Sequence, residues 1–207
     1  MRFTELSFIA SMCVALVAGH TRVEGQSNLR WDTWEKSDGG NGHSYAAVVQ
    51  EVTWFEANEK ATALGGWLAT LELEGENDFV FSLVEPIPEI WRPGADPTSD
   101  LLGPWLGGFQ GPTGIEPRDG WLWLAEGNEG NPTPFEDGPT YWKPGEPNNL
   151  GGQEDYLVYW GVDGWPTPRW NDVPWDYLPR GFVVEVPERG TIALLAIGAL
   201  TLLRRKK

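Results

Sequence analysis

Two segments in the first half of the chain have the hydrophobic spacing of amphipathic helices. Residues 53–66, TWFEANEKATALGG, begin with a Thr-x-x-Glu capping box, continue with apolar residues at helical spacing and end at a glycine pair. Residues 76–84, ENDFVFSLV, place four apolar residues on one face and stop two positions before Pro86. The pattern therefore predicts one helix over about 54–64 and another over about 76–84.

The apolar runs in the second half are shorter and favour strands. They are residues 105–109, 121–124, 156–160 and 182–186. Residues 86–104 contain five prolines and no periodicity, which predicts a loop. Residues 125–155 are mostly Gly, Pro, Asn and acids, and a structureless stretch of that length in a compact domain is usually functional. A strand at about 41–48, two helices and then short strands around a long polar loop predict an α+β fold.

Both ends of the chain have the composition of sorting signals. One Arg precedes the apolar run 8–18 and small residues follow it, which predicts a secretory signal peptide over 1–25. The single cysteine, Cys13, lies in that run, so we expect no cysteine in the mature domain, residues 26–187. The apolar run 191–203 is too short for a comfortable membrane span and is followed directly by four cations.

Together with the preceding Pro-Glu pair, residues 188–207 resemble the bacterial PEP-CTERM sorting signal. That resemblance implies a bacterial protein that is exported and then released or attached at the cell surface. It also implies that the chain meets the membrane only through this tail, before processing.

The net charge of the chain argues against some classes of binding partner. The 207 residues contain 15 Lys and Arg against 30 Asp and Glu, a formal charge of −15. Residues 26–187 retain 8 of these cations and 27 of the acids, a formal charge of −19. So negative a domain argues against nucleic acid or an anionic membrane as the main partner. It suits Ca²⁺, which prefers carboxylate and carbonyl oxygens.

The polar stretch contains a set of oxygen ligands in three short motifs. Glu146, Glu154 and Asp172 supply three negative charges, and Asn148 and Asn171 add two amide oxygens. With a backbone carbonyl, they supply the six or seven hard oxygens that Ca²⁺ accepts. No thiolate or nearby imidazole accompanies them, so the set favours Ca²⁺ over zinc. Mg²⁺ fits less well, because it prefers tight octahedral geometry and keeps its own waters.

EPNNLGGQEDYLVY at 146–159, followed by WND at 170–172, resembles the long-loop calcium site of C-type lectins. Segments 53–71, 76–80, 105–108 and 182–185 support the resemblance, which spans about residues 41–186. It implies a C-type-lectin-like fold with two helices, two small antiparallel sheets and a long calcium-binding loop.

In that family, two vicinal sugar hydroxyls complete the calcium shell, each between an acid and an amide that hold the same ion. The resemblance pairs Glu146 with Asn148 and Glu154 with Asn171, and Asp172 closes the shell. The EPN triplet is similar to the branch that binds mannose, glucose, N-acetylglucosamine or fucose. The resemblance also implies a cis peptide before Pro147.

Two further features follow from the resemblance. Asn149 and Asp155 are candidates for the auxiliary calcium site of some members. The family's conserved cysteines are missing, and their positions correspond here to apolar or aromatic residues: Ala61, Tyr156, Trp175 and Val184. Each missing disulfide removes ~2–4 kcal/mol of stabilisation. We therefore expect packing and calcium to offset that loss.

The sequence thus predicts an exported, Ca²⁺-dependent module that binds a glycan or exopolysaccharide. The alternative is a calcium-independent C-type-lectin-like domain that binds protein, ice or a surface polymer. An enzyme is not expected, because the adjacent acids Glu154 and Asp155 point different ways in an extended chain and no Ser-His-Asp arrangement is evident. The oligomeric state and the natural glycan stay open.

Overall fold

The computed structural model describes residues 29–94, 99–112, 115–124, 132–135 and 138–188. The signal peptide predicted over 1–25, with Cys13, and all but the first residue of the tail predicted over 188–207 lie outside these ranges, so both remain predictions. Among the described residues, no helix has the length and apolar character needed to cross a membrane.

Both predicted helices are present. Helix α1 spans Trp54–Ala63, and both hydrogen bonds of the capping box between Thr53 and Glu56 form. Helix α2 spans Glu76–Val84, the predicted bounds, and begins after Gly75 in a left-handed conformation without a side-chain cap. The structure therefore confirms both helices that the hydrophobic spacing predicts.

The described residues form ten strands. In chain order they are β1 (Asp32–Thr33), β2 (Ser44–Val49), β3 (Trp67–Leu68), β4 (Arg92–Pro93), β5 (Leu101–Gln110), β6 (Trp121–Trp123), β7 (Thr133–Pro134), β8 (Tyr156–Val162), β9 (Trp165–Val173) and β10 (Gly181–Val186). Five of them, β2, β5, β6, β8 and β10, overlap the segments that the sequence marks as strands. The α+β class is thus confirmed.

The strands join into one mixed sheet, whereas the expectation was of two separate antiparallel sheets. The main path is β1-β2-β10-β5-β6-β7, with β8 attached to β5 and β9 attached to β8. A single parallel contact, Phe182 beside Trp105, connects β10 to β5, and every other pairing between these ten strands is antiparallel. The two halves connect because the ten-residue strand β5 is long enough to pair with β4, β6, β8 and β10.

Two strands differ from the sequence-based expectation. Strand β5 begins at Leu101, so the end of the predicted 86–104 loop is a strand whose first two leucines are buried. Strand β9 was not predicted, because Pro166 and Pro168 resemble loop residues. It tolerates them because, of the ten strands, it pairs only with β8, and its bridge to Trp142 lies at Trp170, beyond both prolines.

Apolar packing occupies the positions where the family resemblance places cysteines. Ala61 on α1 and Val184 on β10 are fully buried in the same core cluster. Tyr156 and Trp175 both pack against Phe55, with ring centroids 5.6 and 5.8 Å away. Side-chain packing thus replaces covalent links at both places.

Candidate functional site

Hydrogen bonds between the EPN turn and the end of β9 form the core of the site. The backbone N–H groups of Asn148 and Asn149 donate to Asp172 Oδ2 over 3.0 and 2.8 Å. Asp172 is fully buried on β9, opposite Leu157 of β8. The Glu146–Pro147 peptide is cis, as the resemblance implied. The structure therefore brings the 146–149 turn onto the WND segment.

The same loop returns to the strands at Glu154, two residues before β8. The Leu150 N–H donates to Glu154 Oε2, and the Glu154 N–H donates to Asn149 Oδ1 over 3.0 Å. The neighbouring Asn171, on β9, donates from Nδ2 to the Asp172 carbonyl over 2.7 Å. Residues up to 24 positions apart in sequence are thus held in one small region by turn and strand hydrogen bonds.

Two buried oxygens of this region have no hydrogen-bond partner. They are Glu146 Oε2 and Asn171 Oδ1, and both belong to the residues predicted to bind calcium. Buried side-chain oxygens are normally satisfied, and leaving one unpaired costs about 1–3 kcal/mol. These two atoms are therefore free to accept a further hydrogen bond or to bind a cation.

The pKa shifts of Glu146, Glu154 and Asp172 also indicate a site that favours a cation. Burial is the main cause that raises the pKa of Glu146, of Asp172 and of Glu154, the last to about 7. The Asp172 charge further raises the pKa of both glutamates. The Asp172 charge thus opposes ionisation of the two glutamates, and a cation bound among the three carboxyl groups would relieve that repulsion.

The donor set fits Ca²⁺, although the acids are not arranged as a finished metal centre. In the described part of the chain, no group of three or more Asp, Glu, His or Cys side chains is placed to hold a metal ion. Loop N–H groups engage the carboxylates of Asp172 and Glu154. The two unpaired oxygens, in contrast, belong to a carboxylate and an amide, the hard donors that Ca²⁺ prefers.

The two residues predicted for an auxiliary site have separate surroundings. Asn149 donates from Nδ2 to Glu116 Oε2 over 2.7 Å, which links the long loop to the segment before β6. The Asp155 carbonyl accepts from the Gln110 N–H over 2.8 Å at the end of β5. Sequence reasoning missed Glu116, since a single acid in a short turn carries no recognisable spacing. The auxiliary site remains a prediction.

The tryptophans divide into core and surface groups. The buried group includes Trp54, Trp105, Trp121, Trp123 and Trp170. Nearer the surface, Trp165 is 75% exposed at the start of β9, and Trp160 donates from Nε1 to Asp100 over 2.8 Å. A third, Trp142, is partly exposed and lines a cavity beside Glu146.

Comparison with known proteins finds lectins among the curated sequences, and no family model matches the chain. Ladderlectin from Oncorhynchus mykiss is 30% identical over 121 residues, which cover 58% of this chain and 50% of that protein. C-type lectin domain family 4 member D from Homo sapiens is 23% identical over 133 residues, covering 64% of this chain and 49% of that protein. The chain thus spans about half the length of the curated relatives it matches.

Among solved structures, the carbohydrate-recognition domain of mouse scavenger receptor C-type lectin superposes with a TM-score of 0.51 at 16% identity, covering 77% of this chain and 96% of that domain. C-type lectin CEL-I from Cucumaria echinata gives 0.51 at 19% identity, with coverages of 75% and 93%. Herring type II antifreeze protein gives 0.51 at 18% identity, with coverages of 76% and 95%. The chain therefore has a C-type-lectin-like fold, as predicted.

Proposed function

We propose that this protein is a non-catalytic, Ca²⁺-dependent carbohydrate-binding module of the mannose, glucose, N-acetylglucosamine and fucose type. The observation that carries the proposal is the convergence of the EPN turn with the WND strand, which leaves Glu146 Oε2 and Asn171 Oδ1 buried and unpaired. The lectin names of the curated relatives support it.

In this proposal, Glu146, Asn148, Glu154, Asn171 and Asp172 hold the ion. Ca²⁺ held by these residues would supply direct coordination for vicinal hydroxyls of a sugar. A hydroxyl both donates and accepts, so each one needs an acid and an amide beside it. The acid–amide pairs provide that combination, and the three acids more than neutralise the +2 charge of the ion.

Binding of a single sugar is expected to be weak. A shallow site with two hydroxyl contacts corresponds to ~mM affinity, or roughly −4 kcal/mol. Useful avidity then requires a multivalent glycan or clustering on a surface. We propose that export and surface attachment through the predicted tail provide the clustering, and that the natural partner is a glycan or exopolysaccharide.

Calorimetry of the full chain tests the proposal. Ca²⁺ is titrated into chelator-stripped protein, first alone and then with methyl α-mannoside. We expect saturable binding in the μM to mM range, which the sugar strengthens. Glu154→Gln is expected to abolish it, whereas Glu59→Gln, a matched change on the exposed face of α1, leaves it unchanged. A folded protein that binds no Ca²⁺ contradicts the proposal and favours the alternative, a calcium-independent domain that binds protein or a surface polymer.

Exchange of the acid and the amide in the triplet tests the coordination scheme. Glu146→Gln with Asn148→Asp reverses the hydrogen-bond polarity that the sugar meets, while the number of ligand oxygens stays the same. We expect preference to move from mannose toward galactose, as measured by competition on immobilised glycans. Unchanged mannose preference in the double variant rules out the scheme.

A further inference from the structure

A cleft of about 460 Å³ lies beside the turn that carries Glu146. Its aromatic lining consists of Trp121, Phe135 and the partly exposed Trp142. Residues 145–147 form another part of its wall, so the cleft adjoins the proposed calcium site directly. When one sugar unit of a glycan binds at that site, the adjoining sugar unit of the same glycan lies next to this cleft.

The cleft contains two of the eight cationic side chains of residues 26–187, although the domain is strongly acidic. Lys143 is already compensated, because its Nζ lies 2.8 Å from Asp100 Oδ2 and 5.1 Å from the centre of the Trp160 ring. Arg118 is exposed, and no hydrogen bond or ion pair connects its guanidinium to another described residue. Arg118 is thus the cation that the cleft offers to a ligand.

The backbone on both sides of Arg118 is fixed. Trp121 donates from Nε1 to the Pro117 carbonyl over 3.1 Å, and Gln110 donates from Nε2 to the Asp119 carbonyl over 2.8 Å. Asn149 of the long loop is bonded to Glu116 in the same segment. The guanidinium therefore projects from a braced turn that is tied to the calcium-site loop, and not from a free surface chain.

We propose that this cleft binds the second unit of an acidic glycan, a uronic acid whose carboxylate pairs with Arg118. The inference rests on the proposed function, since it places the first unit, a neutral hexose, at the calcium site. The apolar C–H face of a pyranose ring suits the exposed part of Trp142. The planar guanidinium presents parallel N–H donors that match a carboxylate in a bidentate pair.

The negative charge of the whole domain restricts which anionic glycans can bind at the cleft. A formal charge of −19 over residues 26–187 repels polyanions in general. An anionic sugar is therefore favoured only where its carboxylate reaches Arg118, next to a hexose held by calcium. A glycan with carboxylates at regular intervals fits this arrangement better than a densely charged polymer.

Calorimetry with three ligands tests the proposal on the full chain in saturating Ca²⁺. The probes are methyl α-mannoside, glucosyl-mannose and glucuronyl-mannose, the last two differing only in the carboxylate. We expect glucuronyl-mannose to bind about tenfold more tightly than glucosyl-mannose, the size of a charge-assisted pair of ~1.4 kcal/mol. Arg118→Gln is expected to reduce that preference to within about twofold and to leave methyl α-mannoside binding unchanged.

Arg30→Gln is the matched control. Arg30 is an exposed arginine close to β1, at the opposite edge of the sheet path, so the preference is expected to persist in this variant. Equal affinity for the two disaccharides, or a preference that survives Arg118→Gln, overturns the cleft proposal while the calcium site stands. Equal gains from a sulfated and a carboxylated disaccharide contradict the assignment to a uronic acid. Absence of methyl α-mannoside binding is the separate result that overturns the proposed function itself.

Discussion

A single amide side chain ties α2 to the strands that carry the site. Asn77 is fully buried, and its Oδ1 accepts from Tyr159 Oη over 3.1 Å and from Trp170 Nε1 over 2.9 Å. Its Nδ2 donates to the Pro168 carbonyl over 3.0 Å. Every partner lies on β8 or β9, so Asn77 positions the strand that ends in Asn171 and Asp172.

Asn77→Ala is expected to lower the free energy of unfolding by ~2 kcal/mol, because it leaves the Trp170 Nε1–H and the Pro168 carbonyl unpaired. The Tyr159 hydroxyl keeps a partner, since it also donates to the Asn77 backbone carbonyl over 3.1 Å. Urea denaturation monitored by tryptophan fluorescence measures the change. Asn58→Ala on α1 is the matched control, since the Asn58 Oδ1 has no partner and alanine is the better helix former. Equal losses in the two variants contradict the role given to Asn77.

The helices differ in how they begin. At α1, the Thr53 side chain accepts from the Glu56 N–H over 3.3 Å, and Glu56 Oε2 accepts from the Thr53 N–H over 2.9 Å. The bond from the Thr53 N–H and a second one from the Thr53 hydroxyl, over 2.9 Å, lower the pKa of the Glu56 carboxyl. Helix α2 lacks such a cap and depends on burial of its apolar face. Local sequence thus defines the first helix start, and packing defines the second.

Thr53→Ala tests the local contribution at α1. Loss of the capping hydroxyl is expected to destabilise the protein by ~1 kcal/mol in chemical denaturation, because an N–H of the first turn loses its acceptor. Thr53→Ser keeps the hydroxyl and is expected to stay within ~0.5 kcal/mol of the parent. A serine variant as unstable as the alanine variant shows that the methyl group, and not the cap, matters.

A buried network of acids connects α2 to the central strands. Tyr45 donates to Glu76 Oε1 over 2.5 Å, and its hydroxyl lies 3.3 Å from Glu185 Oε1. His43 Nδ1 lies 2.7 Å from the same Glu185 oxygen, and Thr70 donates to Glu185 Oε2 through both its N–H and its hydroxyl. The buried carboxyl groups of Glu76 and Glu185 thus share one hydrogen-bond network with His43. None of these three residues belongs to the proposed calcium site.

This network predicts a pH dependence of stability. Burial, followed by the charge of Glu185, raises the pKa of Glu76 from its ordinary 4.5 to about 7. Hydrogen bonds from Tyr45 and Leu73 lower it by less, and Asn41 Nδ2 also donates to this carboxyl. The folded protein therefore binds the proton more tightly than the unfolded chain. Its stability is expected to fall as the pH rises from 4.5 to 7, by on the order of 2–3 kcal/mol from this group.

Thermal unfolding of Glu76→Gln across that pH range checks the prediction. The variant is expected to be less stable overall but to have a flatter pH dependence than the parent. Glu74→Gln, an exposed neighbour, is expected to keep the parental slope. An unchanged slope in Glu76→Gln assigns the pH dependence to other groups.

Calcium is expected to compensate for the missing disulfides across the whole domain. A ligand that binds only the folded state adds RT ln(1 + [Ca²⁺]/Kd) to stability, about 2.7 kcal/mol at one hundred times Kd. The unfolding midpoint is therefore expected to rise with the logarithm of Ca²⁺ concentration. Asn171→Leu removes one unpaired oxygen of the proposed site and is expected to abolish that dependence, whereas a dependence that persists places the ion elsewhere.

Local patterns in the chain were sufficient for the features that depend on near neighbours. The helix of residues 54–63 follows from its capping box and spacing. The EPN and WND motifs predict a set of oxygen ligands, and that set stays a prediction. The resemblance carried by those motifs led to the fold and to the cis peptide before Pro147. Such features can be predicted from neighbouring residues, because capping, turn geometry and periodicity depend on contacts within a few positions of the sequence.

Contacts between distant segments decided the rest. Strand β9 forms despite its two prolines because β8 supplies its partner, and the sheet is continuous because β5 reaches four neighbours. Asn77, Glu116 and Arg118 have no distinctive sequence spacing, yet chain folding brings Asn77 against β9 and the other two beside the long loop. A side chain acquires such a role only through partners that lie dozens of residues away, so packing and strand register, and not local pattern, determine where it acts.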